Sequence, residues 1–431
     1  MKKFITLTAA LLSLSATSAF AQSYAIIGGK LITGDGSAPI ENGTVVIKDG
    51  KVIAAGSNIA IPADAQKIDA TNKWVTPGIF AGFSRLGLTE ISAVSGTNDE
   101  NASKSKFSAA LDVSDAISAD RSPFGVNRAS GVTRAAVAPS VGGNIFAGQG
   151  AIANLGEGQD PTSHKRVFQF VEMGERAASI AGGSRTASKT LFRSMLRQAS
   201  DYANNRANFD ESQLTVEDAK ALLKVISGET MLLAHVESAA DINQMIDLKK
   251  EYPAMKLVIV GASEGWRVAD RLARENVPVI ASALNDLPSS FEVLAATQSN
   301  VGRMENAGVK VAIGMIDDRD AHQLRYSAQY AGNLVALNKV PGATGVNWNT
   351  AFALISSRPA EILGQGGKLG VLKNGAAADV VIWNGDPLEL STNVEQLFID
   401  GKKQSLENRQ SKLRDRYANP VEGNLPKAYD R

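Results

Sequence analysis

The sequence predicts an α/β protein in which a largely parallel sheet is framed by two β-rich ends. Short apolar alternations closed by Asp-Gly pairs fill residues 24–54 and return from Ala378 to Gly401. Between about Val75 and Gly364, strand-like runs alternate with helix-sized stretches, the signature of repeated βα units. The composition, 44% hydrophobic and 21% charged, is that of a folded globular chain, and 431 residues allow two or three domains at about 100–200 residues each.

Taken in order, residues 1–21 read as a secretory leader. Lys2 and Lys3 precede an apolar run from Phe4 to Leu14, and Ala19-Phe20-Ala21 offers a small-x-small cleavage site. The run is too short for a membrane span, so the expectation is a mature protein in a bacterial periplasm, with no membrane association after cleavage. Tyr24 to Ile27, Thr44 to Lys48 and Lys51 to Ala54 follow as strands, the last two joined by Asp49-Gly50, a strong hairpin signal. In the middle, Gly131 to Val137, Thr230 to Ala234, Lys256 to Val260, Val277 to Ile280 and Val309 to Ile313 read as strands. Ala239 to Glu251 and Trp266 to Glu275 read as helices between them. Residues 92–127 and 140–163, rich in Gly, Ser and Asn, are expected as long loops covering a site. Residues 378–383 and 394–399 are the returning strands. Such βα alternation fits a sheet wound open or closed into a barrel.

Several function classes are excluded by composition. Basic and acidic residues number 45 and 44, for a net charge of +1, and no long like-charged block exists, which argues against nucleic acid as a partner. Removing the leader with its two lysines takes the charge to −1. With no cysteine, disulfides, thiol nucleophiles, iron–sulfur clusters and thiolate-bound zinc are ruled out. Histidines number three: His164, His235 and His322. No internal repeat, Walker loop, His-Glu-x-x-His or EF-hand loop occurs.

Trp74-Val-Thr-Pro-Gly-Ile-Phe80, Arg358 to Gly364, Lys368 to Gly375 and Ala378-Asp-Val-Val-Ile-Trp-Asn-Gly-Asp-Pro387 carry a resemblance. Together with Gly131-Val-Thr, Gly148-Gln-Gly150, Ala234-His235 and Gly261 through Arg267, they make the chain similar to the amidohydrolase superfamily, in particular its imidazolonepropionase-like, metal-dependent branch. The likeness covers most of residues 24–404. It implies a distorted (β/α)8 barrel with a small composite β-sandwich built from both chain ends, and chemistry at the C-terminal mouth of the barrel. The corresponding division is leader 1–21, sandwich 22–75 and 367–404, barrel 76–366 and a polar tail 405–431.

The departures fall on the metal site. The His-x-His expected after the first barrel strand is replaced by Phe83 and Arg85, neither a zinc ligand. A histidine expected after the sixth strand falls near Gly261. The aspartate expected after the last strand falls near Ile316, with Asp317 and Asp318 just beyond. His235 alone matches, whereas a catalytic zinc needs about three protein ligands.

His235 therefore reads as a ligand for one divalent, zinc-like metal, as a general base, or as a histidine satisfied by a buried neighbour. Asp317 and Asp318 read as catalytic carboxylates or as a solvated helix cap. Arg85 reads as a contact for an anionic substrate, as a charge filling the vacant metal place, or as a buried salt bridge; Gln149 and Glu264 are the other expected substrate contacts. Gly261-Ala-Ser263-Glu-Gly265 spells the G-x-S-x-G of a nucleophile elbow, but its only downstream histidine, His322, sits very close in sequence to the available aspartates. Gly148 to Ala153 mimics a dinucleotide loop without the required helix.

Two readings remain open. One is an exported hydrolase for carbon–nitrogen bonds of a small amide, cyclic amide or dipeptide-like substrate, with an atypical or lost metal centre. The other is a non-catalytic relative that binds a small ligand or supports an active amidohydrolase partner; a homo-oligomer is an expectation under either reading. A serine hydrolase using Ser263 is the remote third.

Overall fold

The computed structural model describes residues 23–212, 214–317 and 321–418. The leader, Asp318 and the end of the polar tail lie outside the described residues. Two eight-stranded sheets organise the chain. The first takes β1 (Tyr24–Leu31), β2 (Ile40–Lys48), β3 (Lys51–Gly56), β4 (Gln66–Asp69) and β5 (Trp74–Pro77) from the front. From the back it takes β14 (Val380–Trp383), β15 (Val394–Ile399) and β16 (Lys402–Lys403). Its order is β16-β15-β14-β5-β1-β2-β3, with β4 also on β1.

β1 pairs with β4 through Tyr24 to Ile27 and with β5 through Lys30 and Leu31, so the sheet forks at Gly28-Gly29. Gly28 has φ +78°, a left-handed conformation that favours glycine, and this kink lets one strand serve two neighbours. Tyr24, Ile26, Val45, Ile47, Val380 and Phe398 form the core beneath. The Asp-Gly pairs behave as their sequence requires. Asp49 and Gly50 take φ of 51° and 76°, Asp400 and Gly401 of 47° and 71°, and each pair closes a two-residue hairpin.

The second sheet runs β6 (Ile79–Ser84), β7 (Val132–Val137), β8 (Phe146–Asn154), β9 (Thr162–Glu172), β10 (Met231–Val236), β11 (Leu257–Gly261), β12 (Val279–Ala281) and β13 (Val311–Ile313), in that order. All pairings are parallel except those of β8, which is antiparallel to β7 and β9. Residues 146–154, expected in a long loop, are thus a strand. The sequence Phe-Ala-Gly-Gln-Gly-Ala-Ile-Ala-Asn is buried along its whole length, and its small residues give almost no β-branched signal.

The ring closes across a seam. Ile313 donates its amide to the Leu354 carbonyl (3.0 Å), and Phe80 donates to Ile355 (2.8 Å). Two residues from a downstream turn therefore bridge the seam at one end, while Met315, just past β13, donates directly to the Phe83 carbonyl of β6 (2.9 Å) at the other, giving the distorted (β/α)8 barrel. Within it, Phe80, Phe83, Phe168, Phe170, Leu233 and Ile280 form a packed core.

The two sheets are tied by Arg134 on β7. Its Nε lies 2.7 Å from Asp379 Oδ2, and one terminal nitrogen lies 3.0 Å from Asp379 Oδ1 and 2.7 Å from Asp400 Oδ1. Burial works against the Arg134 charge, but the two carboxylates outweigh it and hold the guanidinium more firmly protonated than usual. Where a fraying tail was expected, residues Arg409–Ala418 form a polar helix with no buried residue. Among the described residues no helix is long and apolar enough to cross a membrane.

Candidate functional site

The C-terminal ends of the barrel strands converge on a cleft of about 330 Å³. Arg85 follows β6, Glu172 ends β9, and His235 and Glu237 stand at the end of β10. Asn285 follows β12, and Asp317 follows β13. Phe83 and Phe170 pack against each other at 5.3 Å between centroids and floor the cleft.

His235 is the centre of a charged chain. β9 and β10 are parallel, and their register sets Glu172 opposite His235, with Nδ1 2.8 Å from Glu172 Oε1. The strand period of two puts Glu237 on the same side as His235, and Nε2 is 3.0 Å from Glu237 Oε1. The imidazole is about one-fifth exposed, at 21%. Burial alone would push its pKa down, but the charge and hydrogen bonds of Glu172 and Glu237 outweigh that and hold it well above the ordinary imidazole range. Burial would conversely raise the Glu237 pKa, yet His235 and Ser263 hold it below the usual carboxylate range. The result is an imidazolium gripped between two carboxylates.

Ser263 continues the chain. Its amide donates to Glu237 Oε2 (2.8 Å), and the Asn285 side-chain amide donates to its hydroxyl oxygen (2.9 Å). The serine is buried, and its neighbour in this chain is Glu237 rather than a histidine base. This differs from a nucleophile elbow, where the hydroxyl is presented outward to an imidazole. The left-handed residues are Gly261 (φ +91°) and Ala262 (φ +52°). A Cβ at Gly261 would lie 2.4 Å from Glu237 Oε1 and 2.9 Å from the His235 ring, so Glu237 and His235 occupy the space a side chain at 261 would need.

The other expected residues divide. Arg85 and Asp317 line the cleft. Arg85 is buried, with its guanidinium 5.8 Å above the Phe83 ring and 3.5 Å from Glu100; Asp317 is exposed. Glu264 is a buried anchor instead: its carboxylate accepts from the amides of Ala239 (3.1 Å) and Ala295 (2.9 Å). Gln149 sits inside β8 and donates to the Ala110 carbonyl at 3.2 Å. His164 is half-buried beside Ser163, and His322 offers its backbone carbonyl to Asn127.

Besides Glu172, three groups not singled out in the sequence complete the cleft. Arg176 donates to the Ser140 hydroxyl and Val141 carbonyl. Glu292, on a short turn after β12, accepts from the Glu175 amide at 2.8 Å. Burial raises its pKa, and the negative charges of Glu175 and Glu237 add to the rise against that hydrogen bond and the pull of His235. Glu237 is the third, and its two-residue spacing from His235 was the available signal.

A divalent ion at this mouth would need ligands that offer lone pairs. Both His235 nitrogens are turned to carboxylates, Phe83 and Arg85 replace an imidazole pair, and position 261 has no room for a side chain. Among the described residues no group of three or more His, Asp or Glu is arranged to hold a metal. The donor set does not fit the metal that the resemblance implies.

Comparison with known proteins shows what the chain is similar to. A model of the amidohydrolase family matches residues 225–403. Amidohydrolase tasK of Hapsidospora irregularis is 23% identical over 403 residues, covering 86% of this chain and 40% of that protein, so the chain spans well under half of its relative's length. The solved amidohydrolase from Thermotoga maritima MSB8 superposes with a TM-score of 0.79 at 21% identity, covering 90% of this chain and all of that one. A prolidase complexed with N-methylphosphonate-L-proline superposes with a TM-score of 0.55 at 15% identity, covering 89% of this chain and 99% of its own.

Proposed function

We propose that this chain, a member of the amidohydrolase superfamily, is a hydrolase for the carbon–nitrogen bond of a small amide or dipeptide-like substrate, working at its barrel mouth outside the cytoplasm. The observation that carries the reading is the pairing, in one cleft, of two carboxyl groups in different surroundings with two guanidinium groups. Amide hydrolysis needs a base for the attacking water, an acid for the departing nitrogen and positive charge near the carbonyl oxygen. Asp317 is exposed and takes the first role, accepting the water proton. Glu292, whose pKa burial raises despite the Arg185 guanidinium 3.6 Å away, gives a proton to the leaving nitrogen. Arg176 and Arg85 face the developing negative charge, or a substrate carboxylate. His235 is not the base in this scheme, because neither ring nitrogen has a lone pair to give; its imidazolium holds Glu172 and Glu237 in place. No step is routed through a metal.

The test is hydrolysis of a panel of N-acyl amino acids, cyclic amides and dipeptides in the presence of a chelator. Turnover that falls about 10²-fold or more in Glu292→Gln and in Asp317→Asn, with folding intact, supports the reading. The saturated His235 ring favours a second reading, a ligand-binding relative without turnover, alone or beside an active paralogue. Saturable binding of panel members with no product from any of them would establish it.

A further inference from the structure

A second cleft, of about 550 Å³, lies away from the barrel mouth between the Ser122–Ala129 helix, the 156–158 turn and the Arg409–Ala418 helix. Five cations reach it, Arg121, Arg128, Arg409, Lys412 and Arg416, against the carboxylates of Glu90, Asp120 and Glu157. Arg121 is held by Asp99 and the Thr97 carbonyl, Arg409 reaches Glu90 at 3.4 Å, and Lys412 pairs with Glu407 on the surface.

Arg128 is different. It is 8% exposed, its Nε has no partner among the described residues, and one terminal nitrogen makes a long 3.3 Å contact with the Leu155 carbonyl. Among the described residues the one carboxylate it pairs with is Glu157, 3.6 Å away and largely in solvent. Burial accordingly lowers its pKa, with Glu157 giving only partial relief. A buried charge left this poorly compensated is a cost to the fold that a bound anion would remove. Phe124 and Leu413 supply an apolar wall beside it.

We infer that this cleft binds a small organic anion, a planar or tetrahedral oxyanion head on a compact apolar body, with Arg128 as its buried anchor and Arg409 and Lys412 closing over it. The oxyanion meets the guanidinium fork, which suits carboxylate and phosphate alike, and the apolar body lies against Phe124 and Leu413. The site lies outside the barrel mouth and does not rest on the hydrolase reading. Because the Arg409–Ala418 helix buries none of its own side chains, a ligand bridging it to Arg128 would also order it.

Calorimetric titration of the full chain with phenyl phosphate, citrate and inorganic phosphate, at constant ionic strength in chloride, tests this. One saturable site is expected, with phenyl phosphate binding more tightly than inorganic phosphate and slowing amide exchange across 409–418. Affinity should fall at least tenfold in Arg128→Gln and in the exposed double variant Arg409→Ala/Lys412→Ala, which carries the test if the buried substitution fails to fold. Arg176→Gln, at the barrel mouth, should bind normally. The inference is overturned by the absence of saturable binding, by unchanged affinity in the double variant, or by loss of binding in Arg176→Gln.

Discussion

A histidine with a carboxylate on each ring nitrogen is a cation by construction, and the folded state gains from its charge only while the proton stays. Because the His235 pKa is raised, its contribution is full below the ordinary imidazole value of about 6.5 and is lost as pH rises through the higher folded value. Glu237, whose pKa is lowered, contributes above the ordinary carboxyl range and ceases to as pH falls through its folded value. Between those limits the Glu172–His235–Glu237 chain is charge-compensated. Nitrogen NMR should find the His235 ring doubly protonated at pH 7.5; a ring titrating near 6.5 would refute the arrangement. His235→Ala leaves two carboxylates facing a gap and should cost about 3–5 kcal/mol in urea unfolding at neutral pH. At this scale the sequence was only partly readable. His235 stood out by scarcity; Glu237 was missed, although the strand period of two that places it beside His235 was there to be read. Glu172 is 63 residues away and meets His235 through sheet register alone, which no local pattern encodes.

Elements are positioned by single anchors. Gly261 lets β11 turn without touching Glu237, so Gly261→Ala combines a left-handed backbone with a Cβ 2.4 Å from a carboxylate oxygen. A loss of about 1–3 kcal/mol is expected by chemical denaturation. Glu264 ties the start of the Ala239–Glu251 helix to the chain after β12, which carries Glu292. Glu264→Ala should speed amide exchange at Ala295 and proteolysis within 284–298 while leaving the sheets formed. The Asp-Gly hairpins were legible because both turn residues need left-handed backbone, which Asp-Gly tolerates. β8 was hidden because a strand that packs both faces closely can be built from glycine and alanine, the residues that ordinarily mark loops.

For the whole molecule, the division into a barrel and a sheet assembled from both ends was readable from where the alternations fell, and the family motifs named the barrel. The coupling between the two bodies was not readable, since Arg134, Asp379 and Asp400 are distant in sequence and ordinary in type. Arg134→Met strands two carboxylates at the junction, one of them 3% exposed. It should cost about 3–5 kcal/mol and split a single thermal transition into two, seen as tryptophan fluorescence and far-ultraviolet dichroism that no longer coincide.

The seam has a temporal consequence. The barrel ring waits for Leu354 and Ile355, and β5 waits for β14 at Val380, so neither sheet has its final neighbours until most of the chain exists. Pairings that span so much sequence are slow to form. A nascent chain emerging from the ribosome stays without a closed core until synthesis is nearly complete, and fragments ending before residue 350 should remain protease-sensitive. Such a chain is kept loose by its own topology until its last strands arrive.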